Sequence, residues 1–329
     1  MRMPGIFVLA TALEGTLGRS ALELVGGARA LAGPLGLQVS AGLLGHGERL
    51  ADAVGQLHEY GVAQVYRCDH PTLGPGQSDA VLAAAGPIIE RAKPDIILVG
   101  ADTVGREVAP RLAYRLGAAL VTEAMSLEVD GRAILARRQV YGGRAIATLA
   151  VATRPAVISV KPRALDVPER SPTMGTVEEA SVDIDPADLP AQLRELQSER
   201  AEVSLDDAAV VVGGGRGVGG PEGFKLLAEL AGLLGGAVGA SRPPADEGWV
   251  PITWQIGQTG KSIRPNLYLA VGISGAAQHV AGVSGARTIV AINKDPEAPI
   301  FTLAHFGLVG DFKQIVPALI ARIKDARGA

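Results

Sequence analysis

A single cysteine, Cys68, stands in the 329 residues. Its isolation excludes a disulfide within the chain and a zinc or iron–sulfur site built from several of its own cysteines, and it fits a reducing compartment. Runs of lysine and arginine are also missing. The 31 basic and 34 acidic residues leave a net charge of −3, so neither nucleic-acid binding nor a polybasic membrane patch is expected. No uninterrupted apolar run reaches the roughly 18–20 residues of a membrane span. The apolar start "GIFVLATALEG" is broken by Glu14 and lacks a positive leader with a clear cleavage site. A soluble cytoplasmic protein without direct membrane insertion is expected.

What the chain has in quantity is glycine, 43 residues, in a sequence that is 47% apolar with a mean hydropathy of +0.24. That fits an α/β protein with many tight strand-to-helix turns. At about 100–200 residues per domain, the length predicts two domains. The first part alternates strand-like runs, "IFVLA" (6–10), "LQVSAGLLG" (37–45), "AQVYRC" (63–68), "DIILVG" (95–100) and "AALVTEAMSLEV" (118–129), with helical spacing over 20–33, 48–60, 78–92 and 104–116. Apolar runs bounded by glycine and separated by helices predict a parallel sheet covered on both faces.

The pattern changes over 132–162, where strands follow one another across short turns such as "YGGR" (141–144). Such spacing permits hairpins but no crossover helix, so antiparallel strands are expected there. Residues 163–207 are polar and proline-punctuated and read as a strap, with a linker at 191–207 between an N-terminal domain (1–190) and a C-terminal one (208–329). In the latter, "AAVVVGGG" (208–215), "GAVGASR" (236–242), "NLYLAVGISG" (266–275), "RTIVAIN" (287–293) and "GLVGD" (307–311) are strand-like. Helical spacing covers 223–236 and 312–326. The expected fold class is therefore α/β in two domains, an N-terminal parallel sheet with antiparallel strands and a C-terminal Rossmann-like domain.

"GRGVGG" places Gly215, Gly217 and Gly220 in the G-x-G-x-x-G spacing between a strand and a helix. A nicotinamide site also wants an acidic residue about 20 positions on, at the end of the second strand, for the ribose hydroxyls. Here that strand ends in Ser241 and Arg242, and Asp246 and Glu247 come only after a Pro-Pro pair. A nicotinamide-dependent oxidoreductase thus stands as an alternative with an incomplete fingerprint. Arg216 in the same loop has the chemistry to pair with a phosphate, or it is simply a solvated loop arginine.

The segments "GGGRGVGG", "GASRPPADEGWVP", "QIGQTGK" and "LYLAVGISGAAQHVAGVSGARTIVAINKDPEAPIF" occur in this order over about 208–312, and together they resemble the signature of the electron transfer flavoprotein alpha subunit. The resemblance is looser over 1–190. It implies an electron carrier without substrate turnover of its own, with FAD in the C-terminal domain. It also implies a heterodimer with a separate beta subunit, which holds AMP or a second FAD. Flavin dehydrogenases, among them those of fatty acid β-oxidation, would donate electrons, and a quinone oxidoreductase or another acceptor would take them.

Matched residue by residue, the resemblance assigns the flavin site to Arg216, Ser241, Arg242, Gly257, Gln258, Thr259, Gly272, Ser274, Gly275, Ala276, Ala277, Gln278, His279, Asn293, Asp311 and Phe312. The chemistry is consistent. A strand running into Gly272, Ser274 and Gly275 brings bare backbone to a ligand, and the helix after it points free N–H groups at the same place. Ser274 is otherwise read as an ordinary helix cap. Arg242 adds a permanent positive charge that raises a flavin's potential; the alternative is a surface salt bridge. The matching histidine, His279, donates to the pyrimidine carbonyl, although an isolated histidine is as readily a satisfied core residue. Thr259 offers a hydroxyl to the ring nitrogen. Asn293 and Asp311 match positions near the adenosine, and each has a plain structural alternative, a strand end and a helix cap. His46, His58 and His70 lack metal-ligand spacing.

Overall fold

A computed structural model of the chain describes residues 5–13, 16–143, 145–191, 193–194, 205 and 208–327. The chain divides into two compact units, residues 1–198 and 199–329. Most of the expected linker, 191–207, lies outside the described residues.

The first unit runs β1 (Gly5–Leu13), β2 (Thr16–Leu17), α1 (Arg19–Leu35), β3 (Gln38–Gly45), α2 (Leu50–Glu59), β4 (Gln64–Asp69), α3 (Ser78–Ala92), β5 (Ile96–Gly100), α4 (Thr103–Leu116), β6 (Ala119–Ala124), β7 (Ser126–Asp130), β8 (Ala133–Val140), β9 (Ala145–Val151), β10 (Ala156–Val160) and β11 (Thr176–Glu179). The main sheet has the order β11-β4-β3-β1-β5-β10-β6, with each neighbouring pair parallel and β2 pairing antiparallel with β1. Its strands bury both faces because successive side chains point opposite ways. Ile6, Val8, Leu98 and Ile158 pack with the apolar stripes of α1 and α2. Phe7, Leu9, Ile97, Val99 and Val157 pack with those of α3 and α4. Helix ends follow local chemistry. The Asp102 carboxylate accepts from the Gly105 N–H at 2.8 Å to start α4, and Gly117, at φ 57°, closes it in the left-handed conformation. Cys68 is buried within β4 of this sheet, and desolvation, with the Asp69 charge behind it, pushes its thiol up to about 11.

Three expectations are corrected. The run 118–129 is two strands, because the chain leaves the main sheet at Met125, whose N–H bonds the Arg137 carbonyl, and β7 enters a separate antiparallel sheet of order β7-β8-β9. Only part of 132–162 is antiparallel, since β10 lies parallel inside the main sheet between β5 and β6. The strap contains a strand, β11, which pairs with β4, and its Ala180 and Ile184 are buried against the α3 side of the core.

The second unit runs β12 (Val210–Gly214), α5 (Pro221–Leu233), β13 (Ala237–Ala240), α6 (Arg242–Asp246), β14 (Leu267–Val271), α7 (Ala277–Val283), β15 (Thr288–Asn293), β16 (Phe306–Val309) and α8 (Phe312–Arg327). All strands are parallel, in the order β13-β12-β14-β15-β16. Val212, Leu269 and Val271 face α5 and α8, whereas Val211, Tyr268 and Ala270 face Val283 of α7 and Ile256 and Ile300 of the loops. From β12 the chain builds first toward β13 on one side and then toward β14 on the other. The carboxyl ends of β12 and β14 therefore flank a topological switch point, the place where open parallel sheets take ligands.

Candidate functional site

The loops that leave β12 and β14 meet at that point. The Gly215 N–H donates to the Val271 carbonyl at 2.9 Å and the Gly217 N–H to the Gly272 carbonyl at 3.0 Å. Gly272 sits at φ 60°, and a Cβ there would lie 2.8 Å from the Gly217 carbonyl carbon. Only glycine permits two backbones this close with that torsion. In the turn after β12, Gly219 and Gly220 have φ of 79° and 142°, which accounts for the glycine-rich "GVGG" before Pro221 opens α5.

Beside this contact lies a cleft of about 620 Å³, within the size range of cofactor pockets. It is walled by the β12 and β14 loops, the start of α6, the 255–259 loop and α7. Of the residues expected from the sequence, Arg216, Ser241, Arg242, Gly257, Gln258, Thr259, Gly272, Ser274, Ala276, Gln278, His279 and Asn293 line it. Gly275, Ala277, Asp311 and Phe312 do not. Gly275 packs against the Ile300 backbone, and the Phe312 side chain is buried in the core on the α8 face. The Asp311 carboxylate accepts from the Lys313 N–H at 3.0 Å at the start of α8 and pairs with Lys294 at 3.2 Å; these hold it below the usual carboxylate range, the backbone bond foremost. Gly217, Pro243, Gln255, Ile256, Ile273, Asp295, Ala298 and Pro299 also line the cleft and were not expected there. All eight lie within the four quoted segments, Gly217 in the glycine fingerprint and Gln255 and Ile256 next to Gly257 in "QIGQTGK", and that membership was the available signal.

The polar groups of the cleft are individually placed. Arg242 pairs with Asp246 at 3.0 Å along α6, and Arg216 lies 3.8 Å from Glu247, so the acids following the Pro-Pro pair are paired with the two arginines of the cleft. The Gln255 amide donates to the Thr259 hydroxyl oxygen at 2.8 Å, which leaves the hydroxyl proton of Thr259 to point elsewhere. Asn293 donates to the Ile273 carbonyl at 2.9 Å and accepts from the Asp295 N–H at 3.1 Å, so its amide braces the rim. Ser274 is exposed and does not cap α7, whose seven residues start after Ala276 without a side-chain cap.

His279 is 5% exposed, and both its ring nitrogens are engaged. Its Nδ1 is 3.0 Å from the Ile256 carbonyl and its Nε2 is 2.8 Å from the Tyr268 hydroxyl. A carbonyl only accepts, so Nδ1 carries the proton and Nε2 accepts from Tyr268. Burial lowers the imidazole to about 4, against a smaller raising effect of the Ile256 carbonyl. The ring is thus neutral and has no N–H to spare, a departure from the donor role expected of it. Burial likewise pushes the Tyr268 phenol far up, so its hydroxyl keeps its proton.

The fold and the cleft define a two-unit α/β protein with a cleft at the switch point of its second parallel sheet. Comparison with known proteins makes this specific. The electron transfer flavoprotein domain family matches residues 6–185, and the electron transfer flavoprotein FAD-binding domain family matches residues 204–284. An electron transfer flavoprotein subunit alpha of Thermoanaerobacterium thermosaccharolyticum is 41% identical over 324 residues, covering 97% of each chain. Protein FixB of Clostridium saccharobutylicum is 38% identical, covering 98% of this chain and 96% of that one. The subunit alpha of Bacillus subtilis is 35% identical over 97% of both. The chain belongs to the electron transfer flavoprotein alpha-subunit family. Alpha subunits of this family are flavin-dependent electron carriers with no substrate turnover of their own, and they work as heterodimers with a beta subunit. No helix among the described residues is long and apolar enough to cross a membrane.

Proposed function

We propose that the flavin is FAD and that it lies in the cleft at the carboxyl ends of β12 and β14. The observation that carries this reading is the glycine cradle, where Gly217 and Gly272 bring main chain together next to Arg216, whose guanidinium lines the same cleft. Backbone at such close quarters, with positive charge beside it, suits a pyrophosphate. Bound there, FAD supplies an isoalloxazine ring that takes up and gives back electrons. The chain supplies the rest. Ser241, Gly257, Gln258, Ser274, Ala276 and Gln278 line the path from phosphate to ring, and Gly275 and Ala277 shape the turn that carries them. Thr259, oriented by Gln255, turns its hydroxyl proton toward the ring. Asn293 supports the adenosine side, with Asp311 and Phe312 behind it holding the start of α8.

In this reading residues 208–329 are the FAD domain and residues 1–190 are scaffold and partner surface, joined through 191–207. The beta subunit carries AMP or a second FAD, flavin dehydrogenases donate electrons, a quinone oxidoreductase or other acceptor receives them, and the complex works in the cytoplasm. The test is to co-express the chain with its beta subunit, record the visible spectrum, and identify the flavin released on denaturation. One or two FAD per heterodimer is the expected result. A complex without flavin absorbance that added FAD does not restore overturns the proposal, and released FMN corrects the cofactor.

Arg242→Ala should lower the potential of the bound flavin, because a fixed positive charge near the ring favours its reduced, more negative form. The side chain is 65% exposed, so solvent screens it. The expected drop is up to about 59 mV, tenfold for a one-electron couple. A redox titration that superimposes on wild type removes Arg242 from this role.

A further inference from the structure

Among the described residues that line the cleft, Asp295 alone brings a carboxylate to it. The other acids nearby are engaged elsewhere. Asp246 and Glu247 pair with Arg242 and Arg216, and Asp311 pairs with Lys294 and accepts from the Lys313 N–H; none of these three lines the cleft. Asp295 follows β15 and stands with Asn293 at the carboxyl edge of the sheet. The loop that carries it is closed by its own hydrogen bonds. The Asp295 N–H donates to the Asn293 amide oxygen at 3.1 Å, its Oδ1 accepts from the Glu297 N–H at 2.9 Å, and its carbonyl accepts from the Ala298 N–H at 3.2 Å. The loop is also fastened to the one after β14. Asn293 donates to the Ile273 carbonyl at 2.9 Å, and the Ile300 N–H donates to the Ser274 carbonyl at 3.0 Å. One carboxylate oxygen of Asp295 is thereby fixed, and the second, Oδ2, has no partner among the described residues.

We propose that Asp295 is a binding residue for the adenosine half of FAD, its Oδ2 accepting a hydrogen bond from a hydroxyl of the adenosine ribose. The inference rests on FAD occupying the cleft with its adenosine on the Asn293 side. A dinucleotide site wants an acidic side chain for the ribose hydroxyls, usually at the end of the second strand. Here that place holds Ser241 and Arg242, and the loop after β15 supplies the carboxylate instead. An ionised carboxylate only accepts, so it suits a sugar hydroxyl and repels a phosphate oxygen. Because the turn already holds the side chain, little of its freedom is left to lose on binding. Asp295 is exposed, so water competes for the same oxygen. The hydrogen bond therefore belongs at the low end of the range for a charged acceptor, about tenfold in affinity.

The experiment titrates the flavin-free heterodimer with FAD and with two FAD analogues, one lacking the 2′-hydroxyl and one the 3′-hydroxyl of the adenosine ribose. Wild type should bind at least one analogue about tenfold more weakly than FAD. Asp295→Ala should bind FAD about tenfold more weakly than wild type does, and should bind FAD and the analogues alike. The proposal is overturned by a wild type that takes both analogues as well as FAD, or by a variant with wild-type affinity for FAD. It is also overturned if FAD binding weakens but the discrimination persists, since the residue then only shapes the loop. Should Asp295→Ala fail to fold, Asp295→Asn keeps an oxygen for the Glu297 N–H, and its discrimination should fall severalfold; undiminished discrimination counts against the proposal. A wild-type heterodimer that takes up no FAD at all defeats the cofactor reading instead, which keeps the two failures apart.

Discussion

Replacing Gly272 with alanine should give a heterodimer that assembles but purifies largely without flavin. The residue sits at φ 60°, and the new methyl would lie 2.8–2.9 Å from the Gly217 carbonyl carbon, the Gly217 Cα and the Val218 nitrogen. All three are main-chain atoms, so no side-chain rotation relieves the overlap. The left-handed torsion costs a non-glycine residue about 1–2 kcal/mol, and the overlap adds about 1–3 kcal/mol. Without ligand, the loops after β12 and β14 relax by parting, which breaks the bond from Gly217 N–H to the Gly272 carbonyl. Binding requires them to close again, so the cost falls on affinity. At about 1.4 kcal/mol per tenfold, flavin binding should weaken on the order of a hundredfold. Flavin content after gel filtration and titration of the apoprotein with FAD measure it. Wild-type affinity would show that the cradle is not where the cofactor binds.

The second large effect is expected in the first unit. Leu98→Ala should destabilise it by about 2–5 kcal/mol. Leu98 is fully buried at the centre of β5, flanked in register by Val8 of β1 and Ile158 of β10. An interior strand hydrogen-bonded on both sides cannot shift to fill the space that the lost methyls leave. Amide exchange in β1, β5 and β10 should accelerate accordingly, while β12, β14 and β15, which belong to a separate core, keep their rates. A loss under about 1 kcal/mol would mean that the sheet repacks, against the close-packing argument.

Much of this architecture was legible because helices and buried strands differ in period and because glycine punctuates both. The failures have specific causes. β10 was grouped with the antiparallel strands because only a few residues separate it from β9. Its "AVISV" has every residue buried, whereas β9 exposes most of its length. A strand without a wet face belongs inside a covered sheet, but in the sequence "AIATLAV" is as apolar as "AVISV", so only the structure tells the two apart. β11 gave no signal either. Its "TVEE" is mostly exposed, and main-chain bonds to β4 hold it in place. In the cleft, the glycines and arginines announced themselves by type and order. The partners of His279 did not. Tyr268 reads as one more apolar strand residue, and the Ile256 contribution is a carbonyl, which any residue would present. Gln255 opens "QIGQTGK", but its effect on Thr259 depends on the turn that brings residues four apart together, which the segment does not spell out.

The place of β10 also bears on the order in which the polypeptide becomes a folded object. Strands β5 and β6 are not neighbours in the finished sheet; β10 fills the slot between them, and it leaves the ribosome after the whole β7-β8-β9 excursion has been made. A nascent chain of about 150 residues therefore has β5 and β6 open toward the missing strand, and β4 open toward β11, which comes later still; such edges seek partners in other molecules. Closing that gap is a long-range event, slow by the measure of sequence separation. During synthesis the sheet stays open between β5 and β6 until β10 (Ala156–Val160) has emerged, and a nascent chain needs shielding for at least that long.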